Sequence, residues 1–153
     1  MTTVGFIGSG AIGTTLARLA VDAGYQVGRP VPQLDDASPT SSEPMLQYLS
    51  DARIVKAFNT IFFEHLLSLP RPAGAPDRSF LPVAADSVPA KTAVTAFIES
   101  LGYGVVDAGR LSDSWRQATV TPVWGTPYGP YSNTQGQPAG EETVRAALAL
   151  TTR

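Results

Sequence analysis

The run Val4-Gly5-Phe6-Ile7-Gly8-Ser9-Gly10-Ala11-Ile12-Gly13 constrains the fold more than any other part of the chain. A short apolar strand enters G-x-G-x-x-G, and residues with helical spacing follow at once. In such a unit the first glycine permits a tight turn and the second lets the backbone approach a pyrophosphate. The third lets the helix pack closely on the strand. Gly8, Ser9, Gly10, Ala11, Ile12 and Gly13 are therefore the candidate dinucleotide-binding residues.

The periodicity continues the pattern. Residues 4–7 read as a buried strand. Ile12, Leu16, Leu19, Ala20 and Ala23 keep helical spacing, and Gly24 is a natural stop. Tyr25-Gln26-Val27 opens a second strand, which Gly28-Arg29-Pro30-Val31-Pro32 cuts short. Ser41-Ser42-Glu43-Pro44 reads as a helix start, with Met45, Leu46, Leu49 and Ala52 on its apolar face. Residues 53–59 read as a core strand. Thr60 reads as the cap of a helix carrying Phe62, Phe63, Leu66 and Leu67, and residues 70–76 read as a loop.

Residues 80–84 form a third strand, which Pro82 pushes toward a sheet edge. Asp86 or Ser87 opens an amphipathic helix with Ala90, Val94, Phe97, Ile98 and Leu101 inward and Gly102 as its stop. Residues 104–107 are a further strand, 111–116 a helical turn, 121–140 a loop rich in Pro, Gly and aromatics, and 141–150 a last helix. Strands alternating with helices predict a parallel α/β sheet.

The 153 residues suffice for one domain. A net charge of −2 gives no footprint for nucleic acid and no polybasic patch for a membrane. No apolar run is long enough to span a bilayer, and the start of the chain does not read as a signal peptide. The absence of cysteine excludes disulfides and thiolate catalysis and points to a reducing, cytoplasmic setting. One histidine and no cysteine leave no transition-metal cluster.

Gly8-Ser9-Gly10-Ala11-Ile12-Gly13 with Leu16-Ala17-Arg18-Leu19-Ala20 resembles the start of the deazaflavin-dependent NADP reductases, which pass hydride between coenzyme F-420 and NADP. Val55-Lys56-Ala57-Phe58-Asn59-Thr60 is similar to that family's K-A-F-N-T strand end. Gly102-Tyr103 and Asp107-Ala108-Gly109-Arg110-Leu111 followed by Trp115-Arg116 keep its later order. The resemblance spans residues 1–27 and 34–129. It implies NADP and coenzyme F-420 as cofactors, a small-molecule substrate and a homodimer.

The chain also departs from that pattern. In the family the second strand is complete and ends in a Ser/Arg loop that recognises the NADP 2′-phosphate. Here the chain passes from Val27 directly to residues 31–36, and roughly two βα units are missing, each βαβ unit needing about 30 residues. The expected architecture is a single shortened Rossmann-like domain over residues 1–153. It comprises a first βα unit (1–27), a loop at the deletion (28–40), the remaining αβ units (41–120) and the aromatic loop with the last helix (121–153). Missing strands expose sheet edges, which the chain's own segment 27–31, the C-terminal loop or a second copy is expected to cover.

Arg29 is the basic residue where a 2′-phosphate would sit, and its alternative is a solvated loop arginine. Asn59 and Thr60 stand at a strand end, where a carboxamide or substrate carbonyl could be met, or where a turn is capped. His65 is a candidate proton donor or a packed residue. Tyr128 and Tyr131 offer phenols, and with Trp115 and Trp124 they could wall a pocket for a flat ring. Asp107 reads as a turn residue. Three readings follow. One is an NADP(H)-linked oxidoreductase. Another is a non-redox cyclase or isomerase for a small apolar metabolite, which has lost the nicotinamide cofactor. The third is a noncatalytic binding or interaction protein, or a decayed gene product.

Overall fold

The computed structural model describes residues 3–4, 11–27 and 53–152. The chain divides into two compact units, Met1–Pro39 and Thr40–Arg153. Each is a small mixed α/β unit built on a parallel pair of strands.

In the first unit, β1 (Thr3–Val4) pairs in parallel with β2 (Gln26–Val27), in the register Thr3↔Gln26 and Val4↔Val27. Helix α1 (Ala11–Asp22) connects them and buries Leu16 and Ala20. The helix stops where the glycine predicts. Gly24 adopts φ +81, its N–H donates to the Val21 carbonyl at 3.0 Å, and the Tyr25 N–H donates to the Ala20 carbonyl at 2.9 Å. That pair of bonds is a Schellman motif, which satisfies two carbonyls the helix end would leave open.

The described part of the second unit starts with residues 53–62, which are mostly irregular. The strand expected over 53–59 is reduced to one antiparallel bridge, Lys56↔Ala84. The reason is Phe58, which takes φ +65 and turns the chain out of the extended region. The helix that follows, α2 (Phe63–Ser68), is preceded by Phe62 at the cap position with no side-chain cap bond, so Thr60 does not cap it. The predicted helix over residues 41–52 lies outside the described residues.

Strands β3 (Phe80–Val83) and β4 (Gly104–Asp107) pair in parallel from Phe80↔Gly104 to Val83↔Asp107. Gly104 is required opposite Phe80, because a Cβ there would lie 2.4 Å from the Phe80 ring. Pro82 costs this ladder nothing. The Gly104 and Ala108 N–H groups donate to the carbonyls of Ser79 and Val83, whereas Phe80 and Ala84 donate on the opposite side, to Ala139 and Lys56. Alternation places Pro82 with Phe80 and Ala84, on that other edge. The Tyr128 phenol closes the same edge by donating to the Phe80 carbonyl at 2.7 Å. The edge is thus protected by the strand's own Pro82 and by Tyr128 and Ala139 of the C-terminal loop.

Helix α3 (Val88–Ser100) covers this sheet. Ser87 caps it by accepting from the Ala90 N–H at 3.4 Å, and Phe97 and Ile98 are its buried residues. Each such burial contributes about 1.5–3 kcal/mol. Gly102, at φ +91, ends the helix in a second Schellman motif, with Gly102 N–H to the Glu99 carbonyl and Tyr103 N–H to the Ile98 carbonyl. Short 3₁₀ segments cover Leu111–Gln117 and Thr126–Tyr128. Helix α4 (Glu141–Ala149) closes the fold with Val144, Ala147 and Leu148 inward. Asp107 serves the turn after β4, accepting from the Gly109 N–H at 2.8 Å and from Lys91 Nζ at 2.7 Å. Partial burial works against its ionisation, but those donors outweigh it and hold the carboxyl below its usual range.

Candidate functional site

The first candidate lies in the N-terminal unit. Gly8, Ser9, Gly10 and Arg29 lie outside the described residues. Ala11, Ile12 and Gly13 form the first turn of α1, so the glycine run stands between β1 and the start of a twelve-residue helix. The parallel β1–α1–β2 arrangement is the local context that gives G-x-G-x-x-G its meaning. Open N–H groups at such a helix start suit an anionic pyrophosphate.

The second candidate lies in the C-terminal unit and assembles around residues 58–60. Phe58 is buried and packs edge-on to Phe97, with ring centroids 6.0 Å apart. That packing holds a left-handed backbone that costs about 1–3 kcal/mol in a non-glycine residue. The turn carries Asn59 toward Gln117, whose carbonyl accepts from Asn59 Nδ2. It also buries Thr60, whose carbonyl accepts from the Gly125 N–H at 2.8 Å.

Gly125 begins a groove of about 440 Å³ whose walls include Trp124, Thr126, Pro130, Tyr131 and Gln137. Trp124 and Tyr131 meet edge to face at 5.6 Å, and Phe62 lies 5.0 Å behind Tyr131. Such rings present apolar area with fixed geometry. Gly125 cannot be replaced freely: its φ is +75, and a Cβ would lie 2.6 Å from the Tyr131 hydroxyl. Trp115 sits on the preceding 3₁₀ segment and does not line the groove.

The other sequence candidates are interior residues. His65 has no exposed surface, and its Nε2 lies 2.7 Å from the Asn133 carbonyl, which makes Nε2 the protonated nitrogen. Tyr128 is equally buried and spends its proton on the Phe80 carbonyl. Burial pushes its phenol up from the ordinary value. The Thr60 hydroxyl opposes that rise without reaching hydrogen-bond geometry. Both residues hold the loop over residues 121–140 against the sheet and the α2 region. Lys56 is half-buried, and desolvation lowers its amine below the usual lysine range.

Asn59, Thr60, Tyr128, Trp124 and Tyr131 thus lie in one region, with Asn59 and Thr60 on an irregular turn and not at the strand end expected for them. Gln117 and Phe62 also belong to it. Gln117 carries no signal in the sequence, since it stands 58 residues from its partner Asn59. Phe62 was legible only as an apolar helix residue. Among the described residues no cluster of His, Asp and Glu could hold a metal ion, and no helix is long and apolar enough to cross a membrane.

No family model and no curated protein matches the chain. Among solved structures, the chain is similar to a crystal structure of a hypothetical protein from Sinorhizobium meliloti. The two share 20% identity over 80% of this chain and 93% of that one, with a TM-score of 0.61. The likeness is one of fold: a small α/β chain with parallel strand pairs and flanking helices.

Proposed function

We propose that the chain is an NADP(H)-linked oxidoreductase-like protein, related to the deazaflavin-dependent NADP reductases and built on a shortened Rossmann-like sheet. The observation that carries this reading is the parallel β1–α1–β2 unit with the glycine run between its first strand and its helix. In this reading the glycine run and the start of α1 bind a pyrophosphate through backbone N–H groups, and Arg29 is the candidate for the 2′-phosphate. The aromatic groove, within the C-terminal unit, suits a flat ring. Hydride passes between rings without an ionisable side chain, so the burial of His65 and Tyr128 is compatible with redox chemistry. The chain's own work is to bind, orient and exclude water.

A test is to follow NADPH absorbance with coenzyme F-420 as acceptor. A decline proportional to protein concentration is expected. No transfer in either direction would overturn the redox reading.

One observation favours a second reading, a non-redox enzyme for a small apolar metabolite. The groove and the Asn59–Gln117 region both lie within the C-terminal unit. A ligand that binds there equally well with and without NADPH would support it.

A further inference from the structure

Two kinds of irregularity converge on one place. Phe58 and Val120 are the non-glycine residues with positive φ among the described residues, at +65 and +67. Phe58 immediately precedes Asn59, and Val120 stands three positions after Gln117. Val120 is β-branched and largely exposed, so packing does not explain its conformation. The same segments carry four buried polar atoms without a hydrogen-bond partner: Asn59 Oδ1, Thr60 Oγ1, and Gln117 Nε2 and Oε1. Gln117 is fully buried and Thr60 is 1% exposed. Folded proteins rarely leave such groups unpaired, and strained backbone clusters where ligands are held.

We propose that Asn59, Thr60 and Gln117 form the polar end of a ligand site beside the aromatic groove, and that they take a neutral group with both a donor and an acceptor, a primary amide or lactam edge. The chemistry of the open atoms sets this class. Asn59 Oδ1 accepts, Gln117 Nε2 donates, Gln117 Oε1 accepts, and the Thr60 hydroxyl does either. None is charged. Of the cations nearest along the chain, Arg116 donates to the Ala108 carbonyl at 2.6 Å and Lys56 makes no hydrogen bond to any of them. A carboxylate would be desolvated there without a counter-charge, whereas an amide would satisfy both kinds of open atom.

The location follows from two links. Asn59 Nδ2 donates to the Gln117 carbonyl, and the Thr60 carbonyl accepts from Gly125, which lines the groove. Asn59 keeps part of its surface and is the approach to the buried members. Gln117 is thereby the specificity-determining residue. The inference rests on the groove being a small-molecule site, and it is independent of whether the glycine turn binds NADPH.

The full chain is titrated with benzamide, benzoate and toluene. Trp124 fluorescence and the side-chain amide resonances in nitrogen-15 spectra are the readouts. Benzamide is expected to bind at least tenfold more tightly than benzoate or toluene. It is expected to shift one glutamine NH₂ pair, identified as the pair missing in Gln117→Leu, and Gln117→Leu is expected to lose the preference for benzamide. If Gln117→Leu fails to fold, Asn59→Ala is expected to weaken benzamide binding at least threefold while leaving toluene unchanged. Equal binding of the three compounds, tighter benzoate, or no perturbation at all would overturn the proposal. An NADPH titration that succeeds beside a failed benzamide titration would remove this inference and leave the reductase reading standing.

Discussion

Both units turn a helix back into a strand by the same device, and they differ in what surrounds it. Gly24-Tyr25 leads from α1 into β2, and Gly102-Tyr103 leads from α3 into β4, each through a Schellman motif with a left-handed glycine. A Cβ on Gly24 would meet no described atom within 4 Å. A Cβ on Gly102 would lie 2.9 Å from Pro70 Cβ and 3.1 Å from the Arg71 backbone nitrogen. Among the described residues, the first glycine is therefore needed for its conformation alone. The second is needed also for space, because the loop after α2 leans on the turn and Arg71 N–H donates to the Gly102 carbonyl at 3.0 Å. A local motif is the same wherever it occurs, and tertiary packing decides how much its disruption costs.

The sharpest way to break this comparison is to substitute both glycines. Gly102→Ala should cost about 2–4 kcal/mol, the left-handed penalty plus overpacking, and Gly24→Ala only about 1–2 kcal/mol. Denaturant unfolding of the two variants reads the difference, and equal losses would mean that the Pro70–Arg71 loop yields freely.

The next effect concerns the tyrosine after the second glycine. Tyr103 donates to the carbonyls of His65 and Leu66, both at 3.1 Å, and so satisfies the end of α2. Tyr103→Phe should cost about 1–2 kcal/mol. Burial is also the main cause that raises the Tyr103 phenol, and it raises Tyr128 as well, above the ordinary 10.0. The fold favours the neutral form. Stability is thus intact below pH 10 and falls as the pH rises beyond it, since the unfolded chain releases these protons first. Midpoints measured across that range should decline in the parent chain and less steeply in Tyr103→Phe.

Smaller effects test the start and surface of the second unit's helices. Ser87→Ala removes the cap of α3 and should cost about 0.5–1 kcal/mol, toward the low end because the bond is long. Arg145→Ala breaks an exposed i,i+4 pair with Glu141 and should cost only about 0.3–0.5 kcal/mol. A loss there as large as that at Ser87 would show that α4 depends on this charge pair.

These differences also show what the sequence could and could not reveal. Helix α3 was legible because its signals are local: Ser87 before it, Phe97 and Ile98 at helical spacing, Gly102 after it. The strands over residues 80–83 and 104–107 and the edge role of Pro82 were legible for the same reason. The strand over 53–59 was misread because Phe58 takes a glycine-like backbone with no glycine to announce it. Thr60 resembles a cap by type, but the chain turns inward and buries it. His65 and Tyr128 were legible as chemically capable residues; their confinement to the core depends on Asn133 and Phe80, which lie far away in sequence. Gln117 was not legible, because only the folded chain brings it to Asn59.

The most direct test of the central claim, that the glycine turn of the β1–α1–β2 unit still holds a dinucleotide, is a calorimetric titration of the full chain with NADPH and with NADH. The account predicts saturable heat with NADPH at micromolar concentrations and weaker binding of NADH. No heat and no saturation with either nucleotide would contradict it.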